Sequence, residues 1–509
     1  MNIADQNRIQ HPAEFNVGEF REAFRVADYQ RCHALLESSL ASPSRDLWAA
    51  RLALREKRYA DAIQLLSALK PLSSRDKVER DVVLGTAFGL TRDFEVGVSR
   101  LNRATRELAA NDPLYLEALY GKALIAWMQH DNRLSESLLQ RLLAAGDPNE
   151  RAHAHALLSW IAVRRGDVRG QIDHLRIALQ ELETTHARNI YYQANALTTL
   201  AMFCRELPLG ELTQRVRQLY GSMPWTNGIS SYHFKSTRLL GWIDALSGDE
   251  LSAFRRFRLA ADLAPSDHWR VLCLIDRAYL ARSTGERAFA TDQLYAAHEH
   301  AAKLSWNETA DEERAALIVM AELFADVDAA LAQRYLAQFR SIGNVASPLL
   351  PYGEDPRVRA FALYSAGVAL TRLGEPEDAQ PMLRDAFETF DAYEYGWRAA
   401  LCALALGQLT NDPRWMVQAR HRIAPWPRSW IAREISSAPV RKATEELVSN
   451  AQRQVLRLVL TGKRNTEIAA ELGRSPNTVR NHIAEIFKAY NVRSRSELIA
   501  LFSGRSGAA

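Results

Sequence analysis

The sequence lacks the marks of a secreted, membrane-spanning or metal-binding protein. It has only four cysteines in 509 residues, and no two of them have the spacing of metal ligands, so we expect free thiols in a reducing compartment. The N-terminal segment has no charged-then-apolar signal pattern, and no apolar run approaches the ~20 residues that a membrane-spanning helix needs. These absences predict a soluble, cytoplasmic protein with no membrane partner. The cysteines are Cys32, Cys204, Cys273 and Cys402.

Motifs of catalysis are missing as well. The pairs Gly121-Lys122 and Gly462-Lys463 lack the upstream glycine and the following Ser or Thr of a phosphate-binding loop. His153 and His155 stand two residues apart, so on a helix they point to different sides and form a poor metal chelate. No alternating strand and helix pattern surrounds an acidic cluster, and no local nucleophile motif is present. We therefore expect no cofactor, no metal and no enzymatic activity.

The sequence does contain a long series of amphipathic helices, from about residue 19 to 422. Short breaks separate them, 35 to 38 residues apart for the first four and 37 apart for the fifth and sixth. A period of this length built from paired helices predicts an all-α fold with an alpha solenoid. The breaks are Lys57-Arg58, Arg92-Asp93, His130-Asp131, Gly166-Asp167, Gly248-Asp249, Gly285-Glu286 and Gly374-Glu375.

Two segments, 231–265 and 359–387, combine small and bulky residues at fixed spacings. Small residues let the two helices of a unit touch, and bulky residues fill the gap to the next unit. These segments resemble the tetratricopeptide repeat, whereas the pattern is weakest over 186–228 and 305–355. The matching residues are Gly241, Gly248, Ala253, Phe257, Ala260 and Pro265 in the first segment, and Gly367, Gly374, Ala379 and Ala386 in the second.

The resemblance implies a ligand groove, because the first helix of each tetratricopeptide pair lines the concave face. When the concave-face positions of the tetratricopeptide repeat are matched to this sequence, they hold Trp, Tyr and Arg side chains. Such a face suits a peptide or a small-molecule effector. The alternative is that the aromatic rings seal the packing between repeats and the arginines are solvated. The candidate groove residues are Lys235, Arg238, Trp242, Tyr279, Arg282, Tyr364 and Arg372.

The positive charge is concentrated at the C-terminal end. Residues 450–509 hold ten Lys and Arg against four Glu, a balance of +6. Since the whole chain has a net charge of +4, the other 449 residues carry −2. A basic segment on an otherwise slightly acidic chain is the charge pattern expected of a part that meets nucleic acid.

The same C-terminal segment predicts four short helices with a helix-turn-helix at their centre. Ser449 and Gln452 form a capping box for the first helix, which ends near Gly462. Asn465 is expected to cap the second helix, and Gly473 supplies the left-handed turn. The third helix starts with Ser475 as its cap and Pro476 at its first position, and the fourth with Ser494 and Glu497 as a capping box.

The third helix has two different faces. Its apolar face, with Val479, Ile483, Ile486, Phe487 and Tyr490, follows helical spacing and should pack on the first two helices. Its polar face suits a DNA groove, because Arg can read guanine through two hydrogen bonds, Asn can read adenine, and a small Ala permits close approach. The polar-face residues are Asn477, Arg480, Asn481, Ala484 and Lys488.

The segment resembles the LuxR-type (GerE-type) DNA-binding domain through VLRLVLTG, NTEIAAEL, SPNTVRNHI and NVRSRSEL. The resemblance implies binding to double-stranded operator or promoter DNA, a homodimer on DNA, and contact with RNA polymerase. In LuxR-type domains the fourth helix commonly forms the pair, so Leu498, Ile499, Leu501 and Phe502 are the candidate dimerisation residues. The candidate DNA-binding residues are Lys463, Arg464, Asn465, Thr466, Ser475, Asn477, Thr478, Arg480, Asn481, Ala484 and Lys488.

Taken together, the patterns indicate a bacterial transcription regulator that is cytoplasmic, and nucleoid-associated when bound to DNA. A repeat region that senses an effector or docks a partner would control a LuxR-type reader. One alternative is a tetratricopeptide-like scaffold whose C-terminal bundle binds protein, and another is a helical-repeat enzyme. The expected divisions are a loose N-terminus at 1–17, the repeats at 18–435, a linker at 436–444, the reader at 445–505 and a tail at 506–509.

Overall fold

The computed structural model describes residues 14–70, 73–184, 189–306, 311–342, 356–437, 448–490, 492–496 and 498–499; side chains are not described at 311–313 and 341–342. These residues form 26 α-helices and one short 3₁₀ helix, and no strand occurs among them. The all-α expectation is therefore confirmed. None of the helices in the described ranges is long and apolar enough to cross a membrane.

The chain divides into two compact units. Of the described residues, those from 14 to 202 and from 210 to 236 form the first unit, and those from 203 to 209 and from 237 to 499 form the second. The helices that begin in the first unit are α1 (Val17–Arg25), α2 (Tyr29–Glu37), α3 (Pro43–Arg55), α4 (Tyr59–Ala68), α5 (Ser74–Leu90), α6 (Phe94–Glu107), α7 (Pro113–Met128), α8 (Asn132–Ala145), α9 (Pro148–Arg164), α10 (Val168–Thr184), α11 (Ile190–Glu206), α12 (Gly210–Ser222) and α13 (Ser230–Leu246), with the 3₁₀ helix at Asn227–Ile229.

The second unit contains the remaining repeats and the C-terminal reader. Its helices are α14 (Glu250–Leu263), α15 (Asp267–Thr284), α16 (Arg287–Ala301), α17 (Asp311–Phe324), α18 (Ala329–Ile342), α19 (Pro356–Leu373), α20 (Pro376–Ala392), α21 (Gly396–Thr410), α22 (Pro413–Ile423), α23 (Trp430–Ser437), α24 (Asn450–Leu460), α25 (Asn465–Glu471) and α26 (Pro476–Tyr490). Within each unit, a helix packs on its partner in the pair and on the first helix of the next pair, which is the stacking of an alpha solenoid.

The breaks predicted from the sequence are tight turns with a left-handed residue. Lys57, Arg92 and His130 have φ values of 63°, 68° and 64°, and the glycines at the other four breaks also have positive φ. Where an aspartate follows the left-handed residue, it caps the next helix; Asp131, for example, accepts a hydrogen bond from Leu134 N–H at 2.9 Å. The same turn occurs at Ala27, with φ 56°, where no break was predicted.

The small residues of the repeat pattern have the packing role expected of them. A Cβ atom placed on Gly241 would lie 2.6 Å from the Phe257 ring, and one on Gly367 would lie 2.7 Å from Leu383. Each glycine therefore lets the two helices of its pair approach closely, with a bulky side chain of the second helix against the backbone of the first.

The chain after the last repeat forms a buried helix. Ser429 caps α23, because its hydroxyl oxygen accepts from Ala432 N–H at 3.2 Å. Trp430, the first residue of α23, is almost fully buried. Its ring lies 6.0 Å from that of Trp242, 6.4 Å from that of Tyr279 and 6.5 Å from that of Trp397. Helix α23 thus packs against the first helices of repeat pairs, on α15 and α21.

Candidate nucleic-acid interface

Two of the four helix caps predicted for the reader are present, those at Ser449 and Ser475. Ser449 Oγ accepts from Gln452 N–H at 3.3 Å while Gln452 Oε1 accepts from Ser449 N–H at 2.8 Å, so the capping box is complete. Gly462 and Gly473 have φ values of 84° and 61°, as left-handed turn residues. Ser475 Oγ accepts from Thr478 N–H at 3.0 Å, which places the start of α26 where the sequence predicts it.

The start of α25 differs by one residue from the prediction. Arg464, not Asn465, occupies the cap position, and Arg464 N–H donates to Glu467 Oε2 at 2.7 Å. Asn465 is the first helical residue, and its side-chain oxygen instead accepts from Arg495 Nη1 at 3.1 Å. The expected asparagine cap was wrong because a distant arginine has engaged that side chain.

The three described helices of the reader share one apolar core. Its members come from the residues just before α24, from α24, α25 and α26, and from the segment after α26. The interior face of α26 is the face predicted from helical spacing. The buried residues contributed by the reader are Val448, Val455, Leu456, Val459, Ile468, Ala469, Val479, Ile483, Ile486, Tyr490 and Leu498.

The opposite face of α26 is exposed. It presents two amides, a guanidinium, a hydroxyl and an ammonium on one straight helix, with a small residue between them and Glu485 also exposed. Because the other side of α26 is fixed in the core, the rigid helix holds these groups in a constant arrangement. The exposed candidate residues are Asn477, Thr478, Arg480, Asn481, Ala484 and Lys488.

The cations before α25 are partly engaged by carboxylates. Lys463 Nζ donates to Glu471, and Arg464 Nε lies 3.7 Å from Glu467 Oε1. Arg464 and Thr466 are exposed, whereas Lys463 is half-buried. A phosphate approaching this corner would compete with two surface ion pairs, which are worth little in water.

Arg495 is a positioning residue that sequence reasoning missed. It lies beyond α26, yet its guanidinium donates to Asn465 Oδ1 and to the Lys463 carbonyl oxygen. These bonds tie the start of the fourth-helix segment to the loop before α25. The motif NVRSRSEL contains Arg495, but its role depends on a contact thirty residues away that no local pattern indicates.

The candidate dimerisation residues fall in different environments. Leu498 is fully buried in the reader core, and Ile499 is half-buried. Leu501 and Phe502, like Glu497 of the predicted capping box, lie outside the described residues.

The reader core also includes a residue of the last repeat helix. Val417 of α22 is 3% exposed and belongs to the same apolar cluster as Val455 and Tyr490. Beside it, Gln418 Nε2 donates to the Tyr490 carbonyl oxygen at 3.4 Å. The C-terminal end of α26 therefore packs on α22, a contact that the sequence analysis did not anticipate.

Several candidate groove residues are engaged within the protein. Arg238 forms an ion pair with the buried carboxylate of Asp276, with Nη2 donating to Oδ1 at 3.0 Å. Trp242 lies against Phe257, Tyr279 and Trp430. Lys235 is half-buried on α13.

The other four candidate groove residues line one cavity of about 430 Å³ beside α23. They are Tyr279, Arg282, Tyr364 and Arg372. Arg282 pairs with Glu322 at 3.3 Å, and Arg372 Nη1 donates to the Glu322 carbonyl oxygen at 2.8 Å. Glu434 of α23 faces these arginines across the cavity; burial raises the pKa of its carboxyl, although Arg282 and Arg372 oppose that shift.

Comparisons with solved structures give low similarity over long stretches. The Rap protein complexed with competence and sporulation factor is 13% identical over 79% of this chain and 97% of that chain, with a TM-score of 0.35. The Cut9 and Hcn1 hetero-tetramer of the APC/C is 13% identical, with a TM-score of 0.28 over 94% of each chain. Similarity at this level says nothing about function. No curated protein sequence matches the chain.

The reader itself matches a family model. Residues 446–502 match the GerE model, described as bacterial regulatory proteins of the luxR family. The match covers the core, the caps and the exposed face of α26 described above. Residues 446–502 are therefore a GerE domain of the luxR family, and the chain carries the DNA-binding domain of a bacterial transcription regulator.

Proposed function

We propose that this protein is a transcription regulator whose helical repeats bind an effector and thereby control how the GerE domain engages operator DNA. The observation that carries the DNA-binding part is the exposed polar face of α26 opposite a complete apolar core. A helix held in this way can enter the major groove with its side chains already placed.

On this face, Arg480 and Asn481 are proposed to read bases, because both side chains are exposed and both types form paired hydrogen bonds with purines. Lys488, near the end of the helix, is proposed to contact phosphate, together with Arg464 and Thr466 before α25. Ser475 and Thr478 share a hydroxyl contact of 2.8 Å at the helix start, where a phosphate can also be held.

The experiment is fluorescence anisotropy with the full-length protein on DNA sites obtained by genome-wide mapping. Arg480→Ala should cost about 1–3 kcal/mol on the specific site and relax discrimination there. Lys488→Ala should weaken specific and random DNA equally and reduce the salt slope by about one. Arg457→Ala, which removes an exposed charge from α24, is the matched control and should have little effect on discrimination.

Equal losses for Arg480→Ala on specific and random DNA would contradict base reading by α26. If the wild-type protein showed no salt-dependent DNA binding at all, the alternative hypothesis would be favoured, in which the protein is a scaffold and its C-terminal bundle binds another protein.

The reader is proposed to act as a homodimer on DNA, because one small helical module contacts too little DNA for a specific site and paired modules read two half-sites. Leu498 packs inside its own reader, so its contribution to pairing would be to hold the fourth-helix segment in place. A footprint of one short, unpaired half-site at saturation would contradict pairing.

The effector is proposed to occupy the cavity beside α23, because Tyr279, Arg282, Tyr364 and Arg372 line it. Ala405 lines the same cavity and is only partly buried, so Ala405→Phe would fill the space. This variant should retain DNA binding in the anisotropy experiment. In a reporter assay it should lose the response to inducing conditions. Leu251→Phe, at a residue that is 63% exposed, is the control; a normal response by Ala405→Phe would place the effector elsewhere.

A further inference from the structure

We propose that the first unit holds a separate binding site for a carboxylate carried on an aromatic body, with Arg55 as its anchor. The site is distinct from the cavity beside α23 and involves neither α26 nor DNA. It depends on Arg55 at the C-terminal end of α3, where side chains from α2, α7, α9, α11 and α13 converge.

The surroundings of Arg55 are aromatic. Its guanidinium carbon lies 4.0 Å from the centre of the Tyr191 ring, 4.9 Å from that of Tyr192 and 5.5 Å from that of Phe24. His153 stacks between Tyr120 and Tyr192, with ring centres 4.1 Å and 4.6 Å apart. These rings form walls around the cation and could hold the flat faces of an aromatic ligand.

Arg55 has no ion pair with a carboxylate among the described residues. Arg51, one turn earlier on the same helix, has two, with Glu79 and Glu117 each at 2.8 Å. Two other carboxyls are near: Glu56 pairs with His33 at 2.8 Å and with Arg58 at 2.7 Å, and Glu150 accepts from Asp147 N–H at 3.0 Å, with its pKa raised by burial to about 7. A guanidinium in such a setting without an anion is unusual, since buried charges are generally paired.

A second polar group in the cluster, the hydroxyl of Tyr29, lacks a hydrogen-bond partner. The ring of Tyr29 is 3% exposed, and its hydroxyl makes no hydrogen bond. Both groups lie beside Phe24, whose ring centre is 6.0 Å from that of Tyr29 and 5.5 Å from the guanidinium carbon of Arg55, so they belong to one site. Close by, the Tyr232 hydroxyl donates to the Tyr191 hydroxyl at 3.1 Å. An arginine that hydrogen-bonds Tyr192 but has no carboxylate partner and an unsatisfied hydroxyl donor together define a place for an acceptor with more than one oxygen.

A singly charged carboxylate fits this place better than phosphate. The site supplies one cation without a carboxylate partner, and burial together with the charge of Arg55 lowers the pKa of His153 to about 3, so the imidazole stays neutral. A phosphate dianion would therefore retain an uncompensated charge in a partly dry site. Arg55 and the rings of Tyr120, Tyr191, Tyr192 and Tyr232 are only half-buried, so a ligand has access.

The test is calorimetric titration of the full-length protein with phenylacetate, and in parallel with its neutral isostere phenylacetamide. Phenylacetate should bind, and the amide should bind at least about tenfold more weakly, a difference of about 1.4 kcal/mol. Arg55→Gln should reduce phenylacetate affinity by a similar factor. Arg164→Gln is the matched control, because Arg164 lies 4.0 Å from the Trp127 ring but donates to the Trp127 carbonyl oxygen.

Tyr29→Phe keeps the test valid if Arg55→Gln disturbs the fold. The Tyr29 hydroxyl has no partner in the free protein, so removing it should leave the melting temperature unchanged or raised while weakening phenylacetate about threefold. If the cluster were purely structural, Tyr29→Phe would instead lower the melting temperature and leave the affinity for phenylacetate unchanged. The proposal is overturned if phenylacetate does not bind, if the amide binds equally well, or if inorganic phosphate binds more tightly than phenylacetate.

Discussion

The left-handed residue at each turn carries a backbone cost that depends on its side chain. Gly285 has φ 92°, and a Cβ atom there would meet no other atom within 4 Å. Gly285→Ala should therefore lower stability by about 1 kcal/mol through backbone strain alone, seen as a lower midpoint of thermal unfolding. Gly210, also without neighbours but with no positive φ, is the control, and Gly210→Ala should be neutral or stabilising. Equal effects would show that the turn is not strained.

Helix caps and turns could be predicted from the sequence, because capping and turn chemistry act over three or four residues. The Ser449 capping box, the Gly473 turn and the Ser475 cap are each fixed by neighbours in the sequence. Asn465 and Arg495 were misread or missed because they bond to each other across thirty residues. A side chain with the right type for a cap can still be engaged by a partner that sequence spacing does not reveal.

At the scale of helices, α9 carries a buried imidazole, that of His155, and α10 a half-buried one, that of His174. His155 Nδ1 lies 3.1 Å from His174 Nδ1, and burial lowers the pKa of both groups, that of His155 to about 4 with help from His174. In the unfolded chain the two imidazoles would be protonated near pH 6.5, whereas in the folded chain they are protonated only at lower pH. Stability should thus be complete above pH 6.5 and fall as the pH drops toward 4. His155→Gln should flatten this fall in a series of thermal melts; an unchanged slope would mean that other groups dominate.

The packing of helix α23 could not be predicted from the sequence, although the break before it could. A break in the helices at Pro425 and Pro427 is expected, because proline cannot continue a helix. The packing of α23 on α15 and α21 does not follow, because the aromatic faces of Trp242 and Tyr279 could equally face solvent or a ligand. The groove inferred from the repeat pattern is therefore partly filled by the chain itself.

Trp430 is the side chain that holds α23 in place. Trp430→Ala should cost about 3–5 kcal/mol, because a large, almost fully buried ring is removed from among Trp242, Tyr279 and Trp397. Hydrogen exchange should then rise in α23, with less change in α3 to α8. Trp430→Phe, which retains most of the apolar area, should cost clearly less. Similar protection of α23 in wild type and Trp430→Ala would contradict this anchoring role.

At the scale of the whole chain, the reader is joined to the repeats by packing as well as by sequence. The proposed effector cavity lies beside α23, α23 packs on α22, and α22 contributes Val417 to the reader core. A change at the cavity can therefore reach the end of α26 through two consecutive helix contacts. Such a route needs contacts that are close in space and far apart in sequence, and periodicity alone could not predict it.

Val417→Asp tests this connection, because it places a charge in the reader core while leaving every exposed residue of α26 in place. Val417 is 3% exposed, so an unpaired carboxylate there should cost at least about 2 kcal/mol unless the two parts separate. Hydrogen exchange should rise in the last turn of α26, near Tyr490, and the reporter response should be lost. Discrimination by Arg480 should survive, since its face is untouched. Leu134→Asp, at a residue that is 49% exposed, controls for the added charge. If Val417→Asp responded normally to inducing conditions, the signal would reach the reader by a route that does not pass through α22.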